Sequence, residues 1–136
     1  MITAIDTNVL IDIFVGDKKF AEKSAAALQK CLNNGAVLAC EIVWSETASV
    51  FPNVSQFNSI INSLSIQFSP VNADSALLAG SFWQEYRKKG GPKNRIAADF
   101  LIGAHALAQC DCLLTRDRGF YRKYFKNLKI IDPSVQ

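Results

Sequence analysis

The fold is decided by the first eight residues, MITAIDTN (residues 1–8). The apolar run at residues 2–5 is typical of a strand that is buried on both faces of a parallel sheet. Asp6, Thr7 and Asn8 follow at once, and all three residue types favour the N-terminal cap of a helix. The start of the chain therefore predicts a strand that leads directly into a helix, with an acidic side chain at the junction.

Short apolar runs and amphipathic segments alternate along the rest of the chain. This alternation predicts an α/β protein, a three-layer α/β/α sandwich with a central parallel sheet of four or five strands. The 136 residues fit a single domain, residues 1–136. We predict strands near 2–5, 37–40, 66–68, 112–115 and 129–131, and helices near 6–14, 17–33, 41–50, 54–64, 72–89 and 94–109.

Four acidic residues are predicted to meet at one edge of this sheet, because ligands of open parallel sheets bind at the carboxyl ends of the strands. Asp6 directly follows the first strand, and Asp117 lies just beyond the fourth. Glu46 lies in the helix that leaves the second strand. Asp99 lies near the start of a helix that runs antiparallel to the fourth strand, so it returns to the same edge.

Each acid taken singly also has a structural explanation, as a helix cap, an exposed helix residue or a turn residue. Grouped carboxylates repel one another, however, and are stable together only if a cation neutralises them. Mg²⁺ or Mn²⁺ prefers such oxygen ligands. A bound ion activates water and stabilises the leaving oxygen of a phosphodiester. His105, six residues beyond Asp99, is predicted to point about 120° away around the helix and to be a packed or surface residue.

The four cysteines, Cys31, Cys40, Cys110 and Cys112, form no C-x-x-C pair, and there is one histidine. This composition indicates reduced thiols rather than a zinc site. The N-terminus lacks the basic and apolar regions of a signal peptide, and no apolar run reaches the length of a membrane span. We therefore expect a soluble, cytoplasmic protein without a membrane partner.

The acidic motifs resemble those of the PIN-domain nucleases. DTNVL (6–10) is similar to their opening motif, and Glu46 matches their second acid. DFLIGAHA (99–106) resembles their third motif, and LTRDRGF (114–120) resembles the fourth. The order and spacing agree over nearly the whole chain, and the small size is most similar to the VapC-like toxins of toxin–antitoxin pairs.

The resemblance implies a Mg²⁺- or Mn²⁺-dependent endoribonuclease that acts on RNA, usually as a homodimer silenced by a small antitoxin protein. It assigns the metal and its water to the four acids, and it implies that Thr115 hydrogen-bonds into the acidic cluster. Asn8 would support the loop around Asp6. Glu41 occupies a helix start where such proteins often have Ser or Thr, and is either a fifth acid or a residue that favours the positive helix end.

The net charge of +3 is unevenly distributed. Residues 31–86 contain no Lys or Arg, whereas residues 87–129 contain eleven against three acids. A concentrated basic segment indicates either a phosphate-binding surface or a solvated face. We predict RNA phosphate contacts from the four basic residues that flank the third and fourth acids, Lys93, Arg95, Arg116 and Arg118.

Several apolar residues in the segment without Lys or Arg predict either ordinary core or a surface for a second subunit or an antitoxin helix. They are Trp44, Val50, Phe51, Val54, Phe57, Ile60 and Ile61.

Three alternative functions remain open at this point. The first is a catalytically silent RNA-binding or scaffold module on the same fold, and the second is a nuclease of RNA processing rather than a toxin. The third is a phosphatase with Asp6 as the covalent nucleophile, which the sequence disfavours because Asn8 stands where such enzymes often have a second Asp.

Overall fold

The computed structural model describes residues 1–91 and 97–135. Within these residues five short strands form one sheet: β1 (Ile2–Ile5), β2 (Ala36–Ala39), β3 (Gln67–Phe68), β4 (Cys112–Leu114) and β5 (Ile130–Ile131). Their order is β3-β2-β1-β4-β5, and every neighbouring pair is parallel. The prediction of a central parallel sheet is therefore confirmed.

Seven helices connect the strands in the described part of the chain: α1 (Thr7–Val15), α2 (Ala21–Asn34), α3 (Glu41–Ala48), α4 (Val54–Ser63), α5 (Ala73–Lys88), α6 (Ala97–Gln109) and α7 (Arg118–Tyr124). The chain proceeds outward through β1, β2 and β3, and then returns to the other side of β1. Because crossover connections are right-handed, this reversal places the two sets of helices on opposite faces. The predicted three-layer arrangement is confirmed.

The core lies against the central strands. Ala4 and Ile5 of β1 and Leu113 and Leu114 of β4 are buried, as expected for strands covered on both faces. Helices α5 and α6 pack as an antiparallel pair. The ring of Tyr86 contacts that of Phe100 at the end where α5 finishes and α6 starts. At the other end, Ser75 donates to Gln109.

Helix α2 starts later than predicted. Asp17 was expected to begin the helix, but its Oδ1 accepts hydrogen bonds from the backbone N–H groups of Lys19 and Phe20 at 2.9 Å. This local pairing holds residues 18–20 in a turn, so the helix begins only at Ala21.

Helix α7 was not predicted, because Asp117-Arg118-Gly119 has the composition of a turn. The helix begins at Arg118 and buries Phe120 and Tyr121. The rings of Phe120 and Tyr124 contact each other four residues apart, which is the helical spacing that could have revealed it.

All four cysteines are free, and Cys31, Cys40 and Cys112 are buried. None of the helices described is both long and apolar enough to cross a membrane.

Candidate active site

Asp6 lies where the strand order of the sheet reverses, between β1 and β4. Open α/β sheets form their ligand-binding crevice at such a point. The Asp6 backbone N–H donates to the Leu114 carbonyl oxygen at 3.0 Å, which extends the pairing of β1 with β4 by one residue. Its side-chain Oδ1 accepts from the Thr7 N–H at 2.7 Å and caps α1. Only 6% of Asp6 is exposed, so both its position and its orientation are constrained.

Thr115 and Asn8 surround the Asp6 carboxylate. The Thr115 hydroxyl donates to Asp6 Oδ2 at 2.7 Å and accepts from the Asp117 N–H at 3.0 Å. The Asn8 Nδ2 lies 3.3 Å from Thr115 Oγ1 and 3.5 Å from Asp6 Oδ2. The Asn8 Oδ1 accepts from the Arg116 N–H at 3.2 Å. The loop after β4 is thereby joined to the loop after β1 by side chains of both.

Burial raises the pKa of Asp6 from 3.8 to about 6. Hydrogen bonds from Thr115 and Thr7 lower this pKa, whereas the negative charges of Asp99 and Glu46 raise it. Like charges raise a carboxyl pKa only at short range. The charges of Asp99 and Glu46 therefore act on Asp6, although the three acids come from three separate segments of the chain.

Each of the other acids reaches this edge from a different element. The Thr7 hydroxyl donates to Glu46 Oε1 at 2.7 Å, which joins α3 to α1. Asp99 lies in the first turn of α6 and is partly buried. Asp117 is the N-cap residue of α7, and the Thr115 hydroxyl holds its backbone.

The PIN domain family model matches residues 3–126 of the chain. This protein belongs to the PIN domain family. A search of curated proteins found no match.

Solved structures share the fold of this PIN domain. A VapBC-1 structure from nontypeable Haemophilus influenzae has a TM-score of 0.77 and 22% identity, covering 98% of this chain and 99% of that one. VapBC2 from Rickettsia felis, bound to a DNA fragment from its promoter, has a TM-score of 0.75 and 20% identity, covering 97% and 98%. A toxin–antitoxin complex from Klebsiella pneumoniae has a TM-score of 0.69 and 23% identity, covering 96% and 97%.

The donor chemistry of the acidic edge fits a hard divalent cation. Asp6, Asp99 and Glu46 supply carboxylate oxygens, which Mg²⁺ and Mn²⁺ prefer. Burial is the main cause of the raised pKa of Asp6, and the negative charges of Asp99 and Glu46 add to it. In residues 1–91 and 97–135, no three Asp, Glu, His or Cys side chains are grouped closely enough to form a ready-made metal site.

Glu41, the possible fifth acid of this PIN domain, makes its hydrogen bond with a backbone group rather than with the other acids. Its Oε1 accepts a hydrogen bond from the Val71 N–H at 2.9 Å. Glu41 therefore holds the loop between β3 and α5, and this contact gives it a structural role.

Two of the four predicted RNA contacts have acidic partners within the chain. The Arg116 Nε and Nη2 donate to Asp12 Oδ2 and Oδ1 at 2.6 and 2.9 Å. The Arg118 Nε lies 3.4 Å from Asp132 Oδ2. Their binding to RNA stays a prediction. The other two, Lys93 and Arg95, lie outside the described residues.

Asp12 was not singled out from the sequence, although it supports the loop that carries Asp117. It is buried in α1, where the Ser24 hydroxyl also donates to its Oδ2 at 3.0 Å. The Arg116 guanidinium stacks on the Phe20 ring, 4.0 Å from its centroid. The available signal was a single acid in the apolar run VLIDIF (9–14), because a charge in such a run needs a buried partner.

His105 is packed inside the protein rather than exposed at the acidic edge. Its Nε2 lies 3.1 Å from the Ser69 hydroxyl oxygen. Burial lowers its pKa, against the charge of Glu41, which raises it. The structure confirms the packed alternative.

Proposed function

We propose that this PIN domain is a metal-dependent endoribonuclease that hydrolyses RNA phosphodiester bonds. The observation that carries the proposal is Asp6, a buried carboxylate at the switch point of the sheet on which the charges of Asp99 and Glu46 act. Membership of the PIN family supports nuclease activity.

In this proposal Asp6, Glu46, Asp99 and Asp117 hold the metal. When bound, the ion would lower the pKa of a water molecule and stabilise the leaving oxygen of the phosphodiester. The chain's own residues set the geometry. Thr115 and the Thr7 N–H orient the two oxygens of Asp6, and the Thr7 hydroxyl fixes one oxygen of Glu46.

In this proposal Thr115 also connects two loops of the site, because its hydroxyl contacts both Asp6 and the backbone of Asp117. It therefore sets the spacing between the loops after β1 and β4. Asn8 reinforces that spacing through the Arg116 N–H.

The test is cleavage of a circular RNA by the full-length protein in Mg²⁺ or Mn²⁺, with EDTA as the metal-free control. A circular substrate has no ends, so cleavage must be endonucleolytic. We expect Asp6→Asn to lose activity. The matched control Asp74→Asn removes an exposed acid from the first turn of α5 and should remain active. Equal cleavage by Asp6→Asn, or cleavage that persists in EDTA, would refute the proposed site.

We also propose that the protein is a VapC-like toxin with a small antitoxin partner. The structures that share its fold include complexes described as VapBC and as a toxin–antitoxin pair. Induced expression should arrest growth, and co-expression of a small gene lying directly upstream should restore it. Growth arrest by Asp6→Asn equal to that by the unaltered protein would contradict the toxin proposal.

A homodimer is part of the same proposal, and the segment without Lys or Arg supplies an apolar surface for it. Phe57 and Ile61 are buried and are core, whereas Val50, Val54 and Ile60 are exposed. An open cavity of about 450 Å³ lies beside Val54 on α3 and α4. Light scattering after gel filtration should give twice the monomer mass, and Val54→Glu should lower it. A monomeric mass at all protein concentrations would contradict the dimer.

A further inference from the structure

A second concave site lies between α5 and α7, apart from the acidic edge. It is an open cavity of about 260 Å³. Aromatic side chains form its floor and lysines its rim. The residues that matter are Phe82, Tyr86 and Tyr124 of the floor, and Lys89, Lys123 and Lys126 of the rim. We call this site the lysine–tyrosine pocket.

The floor of the lysine–tyrosine pocket is held rigidly by its neighbours. Tyr86 is buried, and its ring meets that of Tyr124 edge-on, with centroids 5.0 Å apart. The Phe82 ring packs on Phe125, with centroids 4.7 Å apart. Gly91 lies so close to Tyr86 that a Cβ atom there would come within 2.5 Å of the ring. The aromatic surface is therefore preformed and needs little ordering on binding.

The charge of the pocket favours an anionic ligand. Its three lysines are exposed, and Glu85 is the one acid among the residues that line it. Asn127 adds an amide that can donate to or accept from a polar ligand. Aromatic rings beneath a positively charged rim are the combination that binds single-stranded nucleic acid, since bases stack on the rings and phosphates meet the lysines.

The pocket is connected to the acidic edge by a layer of rings. Tyr86 and Tyr124 both contact Phe100, the residue that follows Asp99. Helix α7 also leads from the acidic edge toward the pocket. Its seven residues span about 10 Å from the turn after Asp117 to Tyr124. A single extended RNA chain can therefore reach both the acidic edge and the lysine–tyrosine pocket.

We propose that the lysine–tyrosine pocket is a second binding site for single-stranded RNA, which holds a nucleotide outside the bond that is cleaved. The proposal rests on the proposed ribonuclease function and deepens it. A base stacks against the partly exposed rings of Phe82 and Tyr124, and the lysines of the rim contact the phosphates on either side. The pocket supplies affinity with little sequence preference, because every base has a face that can stack.

The first test measures binding of a fluorescein-labelled oligouridine of about 12 nucleotides, a typical single-strand site size, to the full-length protein in EDTA. The pocket variant is Lys89→Gln/Lys123→Gln/Lys126→Gln. The matched control, Lys18→Gln/Lys23→Gln/Lys30→Gln, removes the same charge from exposed lysines near or on α2. We expect the pocket variant to bind about tenfold more weakly, with a salt slope shallower by roughly 0.7 for each lost phosphate contact. Equal losses in both variants would overturn the proposal.

The second test locates the RNA without changing the protein. Oligouridine carrying 4-thiouridine is cross-linked by light to the unaltered protein, and the modified peptides are identified by mass spectrometry. We expect cross-links at Phe82 or Tyr124, the two partly exposed rings of the pocket. Cross-links found only in other segments would overturn the proposal. So would displacement of the RNA by oligoglutamate as readily as by unlabelled oligouridine, because that result indicates an acidic protein ligand.

Failure of this proposal is distinguishable from failure of the proposed function. Binding is measured in EDTA and does not depend on cleavage. If the lysine–tyrosine pocket does not bind RNA, the pocket variant and its control bind and cleave RNA alike. If the nuclease function is wrong, the unaltered protein does not cleave RNA in Mg²⁺ or Mn²⁺, whatever it binds.

Discussion

Replacement of Arg116 by Met tests whether this residue holds the protein together or contacts RNA. The substitution keeps much of the aliphatic volume but removes both hydrogen bonds to Asp12. The Asp12 side chain is only 5% exposed, so its charge would remain buried with the Ser24 hydroxyl as a hydrogen-bond donor. The variant is therefore expected to be unstable even without RNA.

The magnitude follows from the burial of the two partners. Removing one member of a buried ion pair costs about 3–5 kcal/mol. The Arg116 side chain is 27% exposed and the Ser24 contact remains, so the lower end applies, a loss of about 3 kcal/mol. With a urea m-value of about 1.5 kcal/mol per molar, the unfolding midpoint should fall by about 2 M.

The assay is urea unfolding followed by circular dichroism, with Arg118→Met as the matched control. The Arg118 side chain is 44% exposed and its contact with Asp132 is longer. The Asp132 side chain is only 6% exposed, but it still accepts hydrogen bonds from the Ser134 N–H and hydroxyl, so removal of Arg118 should cost less than about 1 kcal/mol. A double-mutant cycle with Asp12→Asn measures the coupling, because Asn keeps the shape of Asp without its charge. Equal stability of the two arginine variants would refute the structural role. Weaker RNA binding by a fully stable Arg116→Met protein would support the phosphate contact.

Three further predictions concern the site and the core. Because the folded protein raises the pKa of Asp6 to about 6, protonated Asp6 contributes up to about 3 kcal/mol of stability to the metal-free fold below about pH 4, and this contribution is lost as the pH rises through about 6. Urea midpoints in EDTA should show the loss in the unaltered protein but not in Asp6→Asn, and parallel pH profiles of the two proteins would contradict this prediction. Thr115→Val removes the hydroxyl that contacts Asp6 and should cost about 1–3 kcal/mol, whereas Thr115→Ser should retain most of the stability; equal midpoints for the two variants would show that the hydroxyl is dispensable. Gly103→Ala places a Cβ atom 2.5 Å from the Phe125 ring and should cost about 1–3 kcal/mol, whereas Gly119→Ala, with no atom within 4 Å of the new Cβ, should be neutral or stabilising. Thermal unfolding that ranks the two variants in the opposite order would refute the close packing of Gly103 against Phe125.

Much of the fold was predictable because it depends on local patterns. Buried strands appear as short apolar runs, and the parallel arrangement follows from their alternation with helices. The acidic edge was predictable for a related reason. Once the strands are parallel, their carboxyl ends lie at one edge. Asp6 directly follows β1, and Asp117 lies three residues after the neighbouring strand β4.

Contacts between long side chains were not predictable in the same way. Arg116 lies 104 positions from Asp12 in the chain, and their pairing depends on the rotation of α1 about its axis and on the packing of Phe20. In the sequence Arg116 stands beside Asp117, which favours a phosphate contact. In the fold Arg116 instead pairs with the buried carboxylate of Asp12. Helix α7 was missed because its first residues are turn formers, and burial of Phe120 and Tyr121 outweighs that preference.

The two edge strands of the sheet have a consequence for how the protein avoids aggregation. The outermost strands β3 and β5 are each only two residues long. Exposed strand edges are templates on which other chains add strands, and short edges offer few free backbone groups for that purpose. Copies of this protein are therefore poorly suited to join edge to edge into a continuous sheet. We expect the protein to associate with a second copy or with a partner through its helical surfaces, where side chains rather than backbone groups determine the specificity of binding.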